Sequence, residues 1–371
     1  MKILFITPSF FPRIGGVEKH VYKISRELLK KKHEIFVLTE GSLDYRFNKN
    51  QTYQTITNSD NEAKKSKEID KSTHFTYKIS KNLNVLSFEF GKRNWFKKFR
   101  IWFTFLKNIK LFNQFNIIHC HDVFIWYLPI KIFFPNKKVF TTFHGYESYP
   151  ISIRAVIIRK ISEALSSGNI CIGDFIKKWY GTKPDIISYG AVDDKIIQDS
   201  KLGAEINKKN DSAVFIGRLD EQTGILTYLE AVQIIKKDFP NFKFSIIGDG
   251  KFKKQIEKNF KINGFINDPI PYLRSHRFAF VSRYLSILEA MAVNRLVFAV
   301  YDNPVKEDYL KMTPFAPYIV VSNSPKDVAE NVLYFMHHPE KEKEITDKAY
   351  RWVKDKTWKR MVDNYLNLWK I

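Results

Sequence analysis

The sequence predicts an α/β protein of two doubly wound domains, each a parallel sheet with helices on both faces and with a cleft between the two. Three observations predict it. Short apolar strands alternate with stretches of helical periodicity along the chain. In each half a strand runs through glycines into a helix. The length of 371 residues suits two domains of ordinary size.

The elements follow in order. Lys2 to Ile6 reads as a buried strand, closed by Thr7-Pro8 and followed by the turn-like Pro12 to Gly16. Val17, Val21, Ile24, Leu28 and Leu29 then recur at helical spacing, and Glu34 to Thr39 returns to strand character. Gly15 and Gly16 at the head of that helix let backbone N–H groups approach a ligand; a plain strand-to-helix turn is the other reading of the same pair. Asp44 to about Asn82 is rich in Asn, Lys, Ser and Thr without periodicity and predicts a long polar excursion. From Lys92 to Lys110, Trp95, Phe96, Phe99, Trp102, Phe103, Leu106 and Ile109 share one helical face while the basic residues mostly lie elsewhere. That helix either rests on an anionic membrane surface or packs its aromatics on the sheet. Asn116 to Asp122 and Val139 to Glu147 are strands with polar ends. Open parallel sheets bind ligands beyond the carboxyl ends of their strands, where His121, Asp122 and His144 gather. His119 and His121 fall on the same side of their strand, without a third ligand for a metal.

The second half begins after a crossing at Asp185 to Ala191 and a polar connection at Lys201 to Asp211. Ala213 to Ile216 is a strand that runs through Gly217, Arg218 and on to Gly224, followed by a helix through Ile225, Leu229, Val232 and Ile235. Phe242 to Ile247 is a strand ending in Gly248-Asp249-Gly250. Phe278 to Val281, a helix from Leu285 to Ala292 capped by Ser282, and a strand from Leu296 to Val300 come next. Glu289 is an acid among apolar neighbours near the start of that helix, placed to hydrogen-bond a ligand's hydroxyls; a solvated helix residue is the alternative. Trp358 to Trp369 closes the chain as an amphipathic helix.

Composition narrows the function classes. Apolar residues make up 44% and aromatic residues 15%, which indicates a globular chain. No apolar run is long enough for a membrane span or a secretory signal, so a cytoplasmic protein is expected. Two cysteines, Cys120 and Cys171, point to reduced thiols. The formal charge of +22 favours nucleic acid, an anionic membrane or a phosphorylated ligand, or reflects a lysine-rich proteome. No nucleic-acid motif accompanies that charge, and a nucleic-acid partner is not expected.

Seven stretches in their order carry a resemblance. They are Gly15-Gly16-Val17-Glu18, Ile118 to Asp122, Thr142-Phe143-His144-Gly145, Gly190-Ala191-Val192-Asp193, Phe215 to Leu219, Ile247 to Gly250 and Leu288 to Ala292. Together they resemble the retaining glycosyltransferases of family 4, with the GT-B fold of two doubly wound, Rossmann-like domains. The resemblance implies domains at 1–188 and 189–350, with 351–371 returning to the first. It implies transfer of a sugar from a nucleotide diphosphate sugar to a saccharide or lipid-linked acceptor in surface glycan synthesis, without a metal or other cofactor. The basic aromatic helix adds the expectation of a cytoplasmic enzyme peripheral at the inner face of the cell membrane. Arg218 would stabilise charge on the leaving diphosphate. Glu289 would bind the ribose, and Gly217 and the backbone near Ser286 would help to hold the donor. Gly15 and Gly16 would meet the diphosphate from the first domain, and His144 would lie near the transferred sugar. His121 and Asp122 fall on the acceptor side.

The chain departs from the family pattern at several places. Thr223 stands where a Lys usually pairs with the Arg, so one positive charge on the leaving group is missing. Val281 stands where a first Glu usually contacts the sugar, Tyr189 replaces an Asn, and Val293-Asn294-Arg295-Leu296 replaces Cys-Gly-x-Pro. A relative that binds nucleotide or saccharide without transferring it is the alternative reading.

Overall fold

Two sheets organise the chain in this computed structural model, which describes residues 1–10, 15–41, 74–92, 94–201 and 211–371. Chain contacts divide it into one unit of Met1–Ser188 with Val362–Ile371 and a second of Tyr189–Met361. The last helix, Trp358–Trp369, carries the chain out of the second unit, and its residues from Val362 onward belong to the first.

The first unit holds β1 (Lys2–Ile6), β2 (Glu34–Glu40), β3 (His74–Ser80), β4 (Leu83–Phe88), β5 (Ile117–His121), β6 (Val139–Phe143), β7 (Asn169–Ile172) and β8 (Ile186–Ser188). Their order is β3-β4-β2-β1-β5-β6-β7-β8, and every neighbouring pair is parallel except β3 against β4. Ile3, Leu4, Phe5 and Ile6 of β1 are all buried, as expected of a strand covered on both faces. The path moves from β1 to β2 in one direction and to β5 in the other. With right-handed crossovers, the helices are thereby divided between the two faces.

Two expectations are corrected here. The polar excursion ends sooner than the composition suggests, because β3 forms an antiparallel pair with β4. A strand with Lys, Ser and Thr gives little apolar signal when it lies at the edge of a sheet. The rest of that excursion, through residue 73, lies outside the described residues, as do the Pro12 turn and most of the 201–211 connection. The aromatic helix forms over Lys97–Lys107, but it buries Ile101 and Phe105, while Trp95, Phe96, Phe99 and Phe103 are half to three-quarters exposed. Trp102, Leu106 and Ile109 of the same stripe are half-buried, Trp102 donating to Ile125 O and the other two resting on the core, so the stripe is only partly covered.

The second unit holds β9 (Ser212–Ile216), β10 (Lys243–Ile247), β11 (Phe278–Phe280), β12 (Leu296–Val300) and β13 (Val320–Ser322), ordered β10-β9-β11-β12-β13 and wholly parallel. Its core joins Phe215, Tyr228, Phe278, Phe280 and Phe298 to the Ile225–Asp238 and Pro325–His337 helices. The direction of winding again reverses at the first strand, between β9 and β11. In such sheets the crevice at the reversal, beyond the strand carboxyl ends, is where ligands bind.

Candidate active site

In the second unit β9 and β11 pair in register, with Phe215 opposite Phe280, so the loops that leave them start side by side. The loop after β9 carries Gly217 and Arg218, makes a short turn at Glu221–Thr223, and enters the next helix at Gly224. It rests on the loop after β10: the Gly217 amide donates to Ile247 O at 3.1 Å and the Leu219 amide to Asp249 O at 3.0 Å. Gly248 permits this contact, because a Cβ there would lie 1.8 Å from Gly217 O. Gly224 has φ +72 and sits where a Cβ would strike Val300.

Arg218 is held by Asp220, Nε to Oδ2 at 3.1 Å, and Nη2 donates to Gln222 Oε1 at 3.3 Å. Its side chain remains 60% exposed, so the guanidinium is open to an incoming anion. Asp220 Oδ1 is buried without a partner. Thr223 is buried, and its hydroxyl reaches Arg218 O at 2.6 Å and Asp220 O at 2.9 Å. The residue that stands in place of a lysine therefore shapes the loop backbone.

The turn after β11 leads into the Tyr284–Ala292 helix. Ser282 does not cap this helix; Arg283 is the N-cap residue and makes no side-chain capping bond. The Ser282 hydroxyl instead bonds Tyr228 Oη at 2.7 Å and accepts from the Val300 amide at 2.9 Å, both inside the core. The Tyr284 amide donates to Tyr309 Oη at 2.9 Å. Among the first amides of the helix, which lack partners within it, those of Leu285 and Ser286 come next. Ser286 is half-buried and Glu289 is buried further along the same helix. The structure thus brings Gly217 and Arg218 beside the strand that leads to Ser286 and Glu289.

In the first unit the candidates lie on the loops after β1, β5 and β6. Gly15 precedes and Gly16 opens the Gly16–Lys30 helix, where Glu18 folds back so that a Cβ on Gly15 would meet its carboxylate. The Ser9 hydroxyl donates to that carboxylate. His121 ends β5, and its Nδ1 lies 2.8 Å from His144 Nε2, just after β6. Asp122, at φ +62, accepts from the His144 amide at 2.9 Å. Two residues that the sequence reading missed complete this group. His20 packs edge-on against His144 with ring centres 4.8 Å apart, and its Nε2 meets Tyr365 Oη at 2.8 Å. His20 falls at helical spacing with the apolar residues Val17, Val21 and Ile24, and that phase is the signal that could have found it.

Burial holds His20, His119 and His121 well below the ordinary imidazole value, with neighbouring histidines acting in the same direction. Half-buried His144 is lowered to about 3, by burial first and then by the charges of His119 and Arg159. These rings are therefore neutral near pH 7. His119 contacts Thr142 Oγ1 at 2.7 Å and accepts from Trp369 Nε1 at 3.0 Å, which leaves it no nitrogen for a metal. No group of three or more His, Cys, Asp or Glu suited to a metal ion occurs among the described residues.

Doubly wound, mainly parallel sheets with glycine loops at their carboxyl ends and a cationic turn at the second reversal define a class of α/β proteins that bind ligands beyond the strand carboxyl ends. Two family models match, "Glycosyl transferases group 1" over residues 197–352 and "Glycosyltransferase Family 4" over residues 14–184. An uncharacterized glycosyltransferase of Methanocaldococcus jannaschii is 23% identical over 389 residues, covering 98% of this chain and 96% of its own. Sucrose-phosphate synthase of Thermosynechococcus elongatus superposes with a TM-score of 0.68 at 11% identity, over 100% of this chain and 98% of its own. HepE of Anabaena, solved with UDP and glucose, gives 0.67 at 14% identity over 99% and 98%. The chain belongs to the group 1, family 4 glycosyltransferases and has the GT-B fold.

Proposed function

We propose that this glycosyltransferase uses a nucleoside diphosphate sugar and transfers the sugar with retention to a saccharide or lipid-linked acceptor. The observation that carries this reading is Arg218, exposed at the β9–β11 reversal beside the start of the Tyr284–Ala292 helix. A diphosphate there meets a guanidinium and helix-end amides. In the proposed step the bond from the anomeric carbon to the diphosphate oxygen breaks, and the diphosphate leaves with the electron pair. The acceptor oxygen bonds to the same face of that carbon, and its proton passes to a phosphate oxygen. Arg218 stabilises charge that grows as the bond breaks. Gly217 and the Ser286 amide hold the phosphates, and Glu289 takes the ribose hydroxyls. In the first unit, Gly15 and Gly16 serve the donor, and His144, His121 and Asp122 serve the sugar and the acceptor.

The first unit also supplies a surface for a lipid-linked acceptor. Trp95, Phe96, Phe99 and Phe103 are exposed, as are Ile153, Ile157, Ile161 and Leu165 of the Ile153–Leu165 helix. The Lys97–Lys107 and Ile153–Leu165 helices both contact the Phe124–Phe133 helix. Between Phe90 and His121 there are seven Lys or Arg residues and no Asp or Glu. We assign this basic, aromatic face to the anionic inner surface of the cell membrane, with the enzyme peripheral and cytoplasmic. No helix among the described residues is long and apolar enough to cross a membrane.

The deciding experiment is a thermal-shift screen against nucleoside diphosphates and their sugars, followed by transfer assays with the ligand that binds. UDP and UDP-glucose come first, given the ligands of the Anabaena relative. A ligand-specific rise in melting temperature that Arg218→Ala abolishes supports the donor reading. Normal donor binding with no sugar transfer to any acceptor would favour a non-transferring relative.

A further inference from the structure

Two arginines converge at the β9–β11 reversal. Arg218 Nη2 reaches Gln222 Oε1 at 3.3 Å, and Arg283 Nη2 reaches the same oxygen at 2.5 Å. Two guanidinium groups thus share one uncharged acceptor. Asp220 offsets Arg218. Arg283 makes no ion pair with a carboxylate among the described residues; its guanidinium carbon lies 6.0 Å from the Tyr309 ring, and its charge acts on Lys306. Lys306 is buried over that same ring, 4.2 Å from its centre, and donates to Ser282 O. Lys306 also feels the carboxylates of Asp302 and Asp220.

Like charges held around a neutral oxygen repel one another, and a bound anion removes that cost. The position of Arg283 suits a diphosphate in particular. It is the N-cap residue of the Tyr284–Ala292 helix, so its guanidinium and the Leu285 and Ser286 amides belong to one turn. Arginine also presents a fork of donors that matches phosphate oxygens. Thr223, where the resembling family places its second cation, is 2% exposed and bonded to the loop backbone.

We propose that Arg283 supplies, from the turn after β11, the second positive charge on the leaving diphosphate. Arg218 and Arg283 form the cationic pair, with Gln222 setting the distance between them before the donor arrives. This inference rests on the donor reading above and adds to it a diphosphate-binding residue outside the stretches that carry the family resemblance.

The test measures binding of UDP, GDP, ADP and CDP, with the matching nucleosides, to the full-length wild type and to Arg283→Gln, Arg283→Lys and Gln222→Glu. Arg283→Gln is expected to weaken the preferred diphosphate by about 10- to 100-fold. It should leave the nucleoside, which lacks phosphates, bound as in the wild type. Arg283→Lys should recover part of the loss because it keeps the charge and loses the fork. Gln222→Glu places a carboxylate between the guanidiniums, so it should raise the melting temperature of the ligand-free protein while weakening diphosphate binding. That opposite response separates charge complementarity from simple damage to the fold. Wild-type diphosphate affinity in Arg283→Gln, or equal losses for diphosphate and nucleoside, would overturn the role of Arg283 alone. A wild type that binds none of the four diphosphates would overturn the donor reading and this inference with it.

Discussion

Acidification from about pH 7.5 to about pH 5.5 should loosen the first unit through its buried histidines. His20, His119 and His121 are at most 2% exposed, and burial lowers all three well below 6.5. In the unfolded chain each ring takes up a proton near its ordinary value, while the folded protein keeps it neutral. The unfolded state therefore binds more protons, so stability is fully present above about pH 6.5 and is lost as the pH falls below it. With a reference value of about 6.5, each of these rings costs a little over about 1 kcal/mol on the drop to about pH 5.5. His144, held to about 3, adds a like amount. Asp122, raised by burial to about 6, takes up a proton in the folded state and offsets about 1 kcal/mol, for a net loss of about 4–5 kcal/mol. The loss should be localised, because His20 holds Tyr365 and His119 holds Trp369, both in the closing segment Val362–Ile371. Hydrogen exchange of the β5, β6 and Val362–Ile371 amides, corrected for intrinsic rates, reads that local stability. His121→Phe removes one titrating ring at a site already lined by Phe5, and it should reduce the pH dependence by about one third. Protection that changes by less than about 1 kcal/mol between the two pH values would refute the account.

Three further outcomes follow from single sites. Ser282→Ala should destabilise the second unit by about 1–3 kcal/mol in urea unfolding, because the Val300 amide loses its buried acceptor while Tyr228 Oη keeps Phe298 O. Arg277→Ala should cost about 3–5 kcal/mol by the same measurement, since it strands Glu342, which is 2% exposed and paired to Arg277 at 2.8 Å. Replacing Trp95, Phe99 and Phe103 together by Ser should cut co-sedimentation with vesicles containing anionic lipid by about tenfold or more, with donor binding unchanged. Equal pelleting of this variant and the wild type would remove the membrane assignment.

The legible parts of the fold were those whose signal is local. Strands buried over most or all of their length, such as Lys2–Ile6 and Leu296–Val300, declare themselves as apolar runs, and the glycines after β9 and β10 follow their strands directly. What could not be read depends on pairing between distant segments. Ser282 has the composition of a helix cap, and only the approach of Tyr228 and Val300 recruits its hydroxyl into the core. The aromatic helix has two periodic faces, and residue types alone favour burying Trp and Phe over Ile101. The reverse holds because Ile101 and Phe105 meet the cluster around Phe88, Phe90 and Phe112.

The same distinction governs the reading of a missing residue. In sequence, Thr223 looks like a lost charge, because the family pattern is linear and records a cation only at its usual place. A diphosphate responds to where charge lies in space. In a parallel sheet the neighbour of β9 is β11, some sixty residues on, so a cation in the turn after β11 reaches the same Gln222 oxygen as Arg218 in the loop after β9. Buried Thr223, tied to the loop backbone, and Arg283, turned to Gln222, are then two parts of one rearrangement, in which loop order and charge are supplied by different residues.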